Sequence, residues 1–337
     1  MSRGVEEVLP FGDAVVRAVA GPSSRHAALI EGAFDVLIET PGGQVRVTGD
    51  ARARGAARRA IDRIAARVET GAEVGESDVR AAIAAARSGD GAPPGVGCPA
   101  LPLGRRGVVA PKTDAQARYL AMLAAEPLTF GVGPAGTGKT FLAVAYGASL
   151  LMSRQVSRLI ITRPAVEAGE RLGFLPGDLT EKVDPYMAPI WDALRDLMGE
   201  DEVTKLREPP REGAKRERRS VEVAPIAFMR GRTLNHAYVI VAEAQNCTRA
   251  QMKMVLTRLG ECARMAVTGD PSQVDLPNGA DSGLSHAVSL LSGVEGVGVC
   301  RFEAGDVVRH PLVERIVKAY DADAAANPAP PTGSWRR

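Results

Sequence analysis

Aromatic residues are scarce: seven Phe, five Tyr and two Trp make up 4% of the 337 residues, too few for a platform on which successive bases of a single strand would stack. Cysteine and histidine number four each. Cys98, Cys247, Cys262 and Cys300 lack C-x-x-C spacing, and His26, His236, His286 and His310 do not cluster beside them, which argues against a disulfide framework and a structural zinc. The longest useful apolar run, Phe141 to Met152, falls short of the roughly 20 residues that cross a bilayer. The opening MSRGVEEVLP has no basic region followed by an apolar stretch, so it does not read as a signal peptide. Charge of one sign is also missing, since 42 basic and 40 acidic residues leave a net +2. Any attraction to nucleic acid or an anionic surface must then come from local patches. These absences lead to the expectation of a reduced, cytoplasmic protein without membrane contact.

What is present suits a soluble globular chain of one large or two modest domains, with 45% hydrophobic and 24% charged residues. Residues 34–48, FDVLIETPGGQVRVT, read as two β-rich runs around Pro41-Gly42-Gly43, a hairpin. From Ala51 to Glu69 the residues Ile61, Ile64, Ala65 and Val68 recur at helical spacing, with Arg58, Arg59, Arg63 and Arg67 crowding the remaining surface. A shorter helix follows over about Glu76 to Ala86. Residues 88–111 are rich in Gly and Pro and aperiodic, as expected of a linker. The boundaries that follow are a small α+β domain with its linker over 1–100, a larger domain over 101–326, and a disordered tail over 327–337. Within the larger domain, Leu128–Val132, Arg158–Thr162, Val221–Phe228, Tyr238–Val241, Ala263–Thr268 and Val297–Phe302 are apolar runs alternating with helical patterns. That alternation implies an α/β fold with a mostly parallel sheet.

Gly133-Pro134-Ala135-Gly136-Thr137-Gly138-Lys139-Thr140 matches G-x-x-x-x-G-K-T, entered from a strand pattern and left by an apolar helix pattern. Glycines let consecutive N–H groups converge on phosphate oxygens, and the helix N-terminus adds partial positive charge. The chemistry expected is binding of a nucleoside triphosphate, ATP above all, with Lys139 at the β/γ-phosphates and the Thr140 hydroxyl on Mg²⁺. Glu243, at the end of Tyr238–Val241, is placed to orient or deprotonate an attacking water. Ala242 stands before it, where a metal-holding Asp is usual in such folds. Ala263–Thr268 runs into Gly269-Asp270-Pro271-Ser272-Gln273, which throws Asp270 and Gln273 out at the carboxyl edge of the sheet, where open α/β sheets bind ligands. Thr140, Glu243 and Asp270 are the candidate metal residues, and Lys139, Glu243 and Gln273 the candidate catalytic ones.

These segments, with TRPAVEAGERLGFLPGDLTEKVDPY, APIAFMRGRTLN, EAQN, QMKMVLTRLG, TGDPSQVDLP and DVVRHPLV, resemble the PhoH family from about Ala110 to Tyr320. Residues 20–85 resemble its KH-like N-terminal region, although without a G-x-x-G loop. The resemblance implies a RecA-like ATPase core related to superfamily 1 helicases, a homo-oligomeric ring such as a hexamer, and a link to RNA metabolism. A YbeY-type endoribonuclease is an implied partner. It also implies that Gln116 reads adenine, that Tyr119 lies against the base, and that Arg309 is an arginine finger for a neighbouring subunit. Arg163, Glu170, Arg171, Arg230, Arg232, the insert 211–219 and the arginine face of 51–69 are the candidate nucleic-acid contacts. The family writes Asp-Glu-Ala-Gln-Asn where this chain has Ala242-Glu243-Ala244-Gln245-Asn246, so metal binding should be weakened more than nucleotide binding.

Overall fold

The computed structural model describes residues 5–88, 101–103, 107–164, 179–207, 219–276 and 281–308, with side chains from 187 in the fourth stretch, and the single positions 312, 313, 316 and 319. The N-terminal unit runs β1 (Val5–Leu9), α1 (Asp13–Ala20), α2 (Arg25–Phe34), β2 (Leu37–Glu39), β3 (Val45–Gly49), α3 (Ala51–Glu69) and α4 (Glu76–Ser88). Its sheet is antiparallel with order β1-β3-β2. Val45 and Val47 turn inward from β3 onto Ile61 and Ile64 of α3 and Ile30 of α2, the alternation that makes a half-buried strand. Asp50 caps α3 by accepting a hydrogen bond from the Ala53 amide at 2.8 Å. The hairpin and the long helix stand where the sequence pattern put them, and β1 is an addition to it. The α1–α2 turn, Gly21-Pro22-Ser23-Ser24, carries left-handed serines at φ +49 and +58. Ser24 thus stands where a second glycine would complete a G-x-x-G clamp.

A two-stranded ribbon, β4 (Leu101–Pro102) with β5 (Val108–Val109), leads into the second unit. There follow α5 (Asp114–Ala125), β6 (Leu128–Val132), α6 (Lys139–Met152), β7 (Arg158–Arg163), α7 (Leu179–Met198), α8 (Glu200–Arg207), β8 (Ser220–Pro225), β9 (Ala237–Val241), α9 (Arg249–Leu256), β10 (Arg264–Gly269), α10 (Gly283–Leu291) and β11 (Val297–Arg301). The six strands form one parallel sheet in the order β11-β6-β10-β9-β7-β8. Side chains of α5, α6, α7 and α8 cover one face, and those of α9 and α10 the other. Burial on both faces explains why β6 and β9 read as continuous apolar runs. The run expected to reach Phe228 ends sooner: β8 stops at Pro225, and Ile226–Met229 coils into a 3₁₀ turn. Proline has no N–H to offer the ladder. Among the described residues no helix is long and apolar enough to cross a membrane.

The arginine face of α3 is the main correction. Arg63 is only 5% exposed. It pairs with Asp114 at the start of α5, Nη1 to Oδ1 at 3.2 Å and Nη2 to Oδ2 at 3.3 Å. Arg67 donates to the carbonyls of Ala110 and Pro111 and pairs with Asp78 of α4 at 3.3 Å. Lys112 reaches the same Asp78 at 3.1 Å and donates to Ser77. These charges fasten the two units together, so Arg63 and Arg67 do not face a nucleic acid strand.

Candidate phosphate site at the sheet edge

The loop leaves β6 at Gly133, whose amide donates to Gly269 O at 3.2 Å. Gly133 takes φ +146, a conformation open to glycine alone, and any Cβ there would collide with the Phe302 carbonyl. Gly138, at φ +84, is the N-cap of α6 and supplies no side-chain cap. The first amides of α6 are therefore left for another acceptor. Lys139 is buried, its Nζ donating to the carbonyls of Gly133 (2.7 Å) and Pro134 (2.6 Å) and to Thr137 Oγ1 (3.2 Å). The Thr140 hydroxyl lies 3.0 Å from that of Thr268, at the end of β10.

The register β10–β9 pairs Val267 with Val241, so Ala242 stands one step further, level with Thr268. It is 2% exposed and packs with Ile240 and Ala266 on the α6 side of the sheet. The backbone turns at once: Glu243 takes a left-handed φ of +51. Gln245 Nε2 donates to Glu243 Oε2 at 2.8 Å, and Gln245 Oε1 accepts from the Asp270 amide at 3.1 Å. Asn246 Oδ1 accepts from Asp275 N at 2.8 Å. The two acidic turns are thus stitched into one edge. Gln245 and Thr268 carry this geometry without having been singled out from sequence; each stands within two residues of an acid that was.

Asp270, expected at the metal, is 6% exposed and faces the loop. Its Oδ2 accepts from Ala135 N at 3.1 Å, and its Oδ1 from Ser272 N and Oγ at 3.0 and 2.6 Å. In this state it braces the loop backbone. Gln273 is exposed on the same turn, its amide bonded to Asp270 O. Tyr119 departs from expectation: it is fully buried beneath Gly131 and meets Phe302 edge-on, ring centroids 5.4 Å apart. A β6 glycine leaves a slot that the ring fills, so Tyr119 cannot lie against a base. Burial pushes its hydroxyl pKa up. Gln116 is 4% exposed, its Oε1 accepting from Lys112 N at 2.7 Å and its Nε2 donating to Thr137 O at 3.0 Å. Each end of the amide thus holds one backbone partner.

Arg309, Glu170, Arg171 and the insert up to 218 lie outside the described residues. The chain reaches the loop just before Arg309, where Val308 N donates to Gly136 O at 3.0 Å. Arg232 is held by Glu222 through bonds of 2.5 and 2.8 Å, and Arg219 by Glu202 at 3.1 Å, whereas Arg230 is exposed. Burial pushes the Cys247 thiol up to about 12 and that of Cys300 up to about 11, so neither serves as a nucleophile.

Among the described residues no group of three His, Cys, Asp or Glu could hold a metal. Thr140 Oγ1 at the head of α6, with Glu243 across the edge, fits Mg²⁺ held chiefly by phosphate oxygens and water, which is how Mg²⁺ ordinarily binds beside a nucleotide.

The PhoH-like protein family model matches residues 108–321. A PhoH-like protein of Bacillus subtilis is 53% identical over 210 residues, which are 62% of this chain and 63% of that protein. One from Mycobacterium tuberculosis is 42% identical over 307 residues, 91% of this chain and 85% of its own length. The protein PhoH of Escherichia coli is 45% identical over 209 residues, covering 62% and 57%. Among solved structures, the Sulfolobus solfataricus SWI2/SNF2 ATPase core in complex with dsDNA aligns with 64% of this chain and 52% of its own, at TM-score 0.35 and 13% identity. That likeness is too distant to carry an argument.

Proposed function

The chain belongs to the PhoH family, and from that premise we propose that it binds Mg·ATP on Gly133–Thr140 and hydrolyses it in a helicase-like role in RNA metabolism. One observation carries the reading: the uncapped N-terminus of α6, with Lys139 and Thr140 in its first turn, shares one sheet edge with Glu243, Asp270 and Gln273. Phosphates on the α6 amides give Lys139 a stronger partner than the loop carbonyls it now holds, so its ammonium swings to the β/γ oxygens. Thr140 would hold Mg²⁺, which when bound would supply neutralisation of phosphate charge. Glu243, oriented by Gln245, accepts the proton of the attacking water. Gln273, free to turn at the edge, contacts the γ-phosphate. Arg309 of a neighbouring subunit in a ring completes the charge.

Titration with a fluorescent ATP analogue tests the site. Lys139→Ala should weaken binding at least about 10-fold, the loss of a charged hydrogen-bond donor; unchanged affinity would sink the assignment. Phosphate release measured with and without RNA tests the rest, and an RNA-stimulated rate is expected. A second reading is favoured by Ala242: an ATP-loaded switch that barely hydrolyses and recruits an RNA-processing partner, of which a YbeY-type endoribonuclease is the candidate. Tight ATP binding without phosphate release, in the presence of RNA, would support it.

A further inference from the structure

We infer that Gln116 is a positioning residue of the phosphate loop and not a reader of the nucleotide base, so that this position confers no preference among the bases. To recognise the edge of a base, an amide must offer it a donor and an acceptor. Here one N–H of Nε2 donates to the carbonyl of Thr137, inside the loop, Oε1 accepts from the Lys112 amide, and the residue is only 4% exposed, so the remaining N–H and lone pair have little access to a base. The arrangement is built in, not incidental. Gly138 has no side chain, and a Cβ there would stand 2.9 Å from Gln116 Nε2. The α5 cap, Thr113 Oγ1 accepting from Gln116 N at 3.2 Å, fixes the backbone from which the side chain springs.

The support extends beyond α5. Lys112 and Asp114 flank this bond, and both are gripped by the N-terminal unit, Lys112 by Asp78 and Ser77 and Asp114 by Arg63. A continuous run of contacts therefore leads from α3 and α4 through the buried Gln116 amide to the loop. Turning Gln116 out to meet a base would leave the Thr137 carbonyl, itself in a buried residue, without this donor.

The inference rests on Gly133–Thr140 being the triphosphate site, and the test separates the two. Binding of ATP, GTP and inorganic tripolyphosphate is measured for the full chain and for Gln116→Ala and Gln116→Glu. The Glu variant keeps the shape and the acceptor for Lys112 N, and loses the donor to Thr137 O. Both variants should bind all three ligands more weakly by one common factor, about 10-fold, with the ATP to GTP ratio unchanged. Amide exchange over 133–140 should quicken while exchange in β9 and β10 holds, which general destabilisation would not give. If the variants lose ATP but keep tripolyphosphate, Gln116 reads the base and the inference falls. If all three affinities are unchanged, it also falls, with the triphosphate site intact. A wild-type chain that binds none of the three would overturn the site and the inference together.

Discussion

Ala242 is where a single side chain has the most to answer for. Its methyl group points to the α6 side of the sheet, level with Thr268, whose hydroxyl touches Thr140. A carboxylate grown from that Cβ would enter the space beside the threonine expected on Mg²⁺. Ala242→Asp should therefore raise the ATPase rate roughly 10-fold or more and lower the Mg²⁺ requirement, the magnitude usual for groups that hold a metal's surroundings. Superimposable Mg²⁺ titrations of the two proteins would refute it. The same substitution buries an unpaired acid when no nucleotide is present, since the position is 2% exposed. The variant should accordingly melt lower than the parent when empty and recover with Mg·ATP. At this scale the sequence was informative about chemistry and poor on orientation. Lys139, Thr140 and Glu243 gather at one edge because spacing along strand and loop dictates it. Tyr119 and Gln116 point elsewhere because packing partners at Gly131 and Thr137, distant in sequence, decide which way a side chain turns.

The strands and helices were legible because burial on both sheet faces writes itself as apolar runs, and α3 follows its periodicity from Ala51 to Glu69. β1 was not, because its two glutamates interrupt the run and find their partners, Arg46 and Arg58, across the sheet and on α3. Neither was the inward turn of Arg63, since a charge at helical spacing reads as solvated until its acid is known. One element carries a constraint invisible in pattern alone. Gly147, in the middle of α6, lies against β9 and β7, and a Cβ there would come within 2.6 Å of Tyr238 Cδ1 and 2.7 Å of Leu159 Cδ1. Helix propensity favours alanine over glycine by about 0.5–1 kcal/mol, but both neighbours are fully buried, and overpacking costs about 1–3 kcal/mol. Gly147→Ala should therefore destabilise, lowering the melting temperature by a few degrees at roughly 2–4 °C per kcal/mol. A rise in melting temperature would show that α6 can lift off the sheet at little cost.

Across the molecule the two units enclose a cleft of about 930 Å³ between α2 and α4 on one side and the start of α5 and residues 301–308 on the other. Its acids are engaged: Asp114 with Arg63, and Glu303 and Asp306 with each other's backbone amides. Arg80 is paired with Glu76, and Arg87 donates to Ala33 O. Arg118 and Arg301 line the opposite wall and are exposed, so four arginines face three acids around the cleft, a slight positive bias. If RNA is the working partner, Arg118→Glu with Arg301→Glu should weaken its binding and reduce the salt dependence by about two counterions, about one per lost phosphate contact. The affinity for an ATP analogue should stay as it was. RNA affinity and salt slope identical to the parent's would exclude the cleft. The loop beyond it has its own bearing on solution behaviour. With Lys139 folded onto the carbonyls of Gly133 and Pro134, the protein without nucleotide keeps the loop's cation buried. Orthophosphate must serve the helix amides and the lysine from a single group, whereas a triphosphate meets them with separate phosphates and should displace the lysine more readily. Concealment of this kind discriminates by ligand length, and would spare the site from saturation wherever free phosphate greatly outnumbers nucleotide.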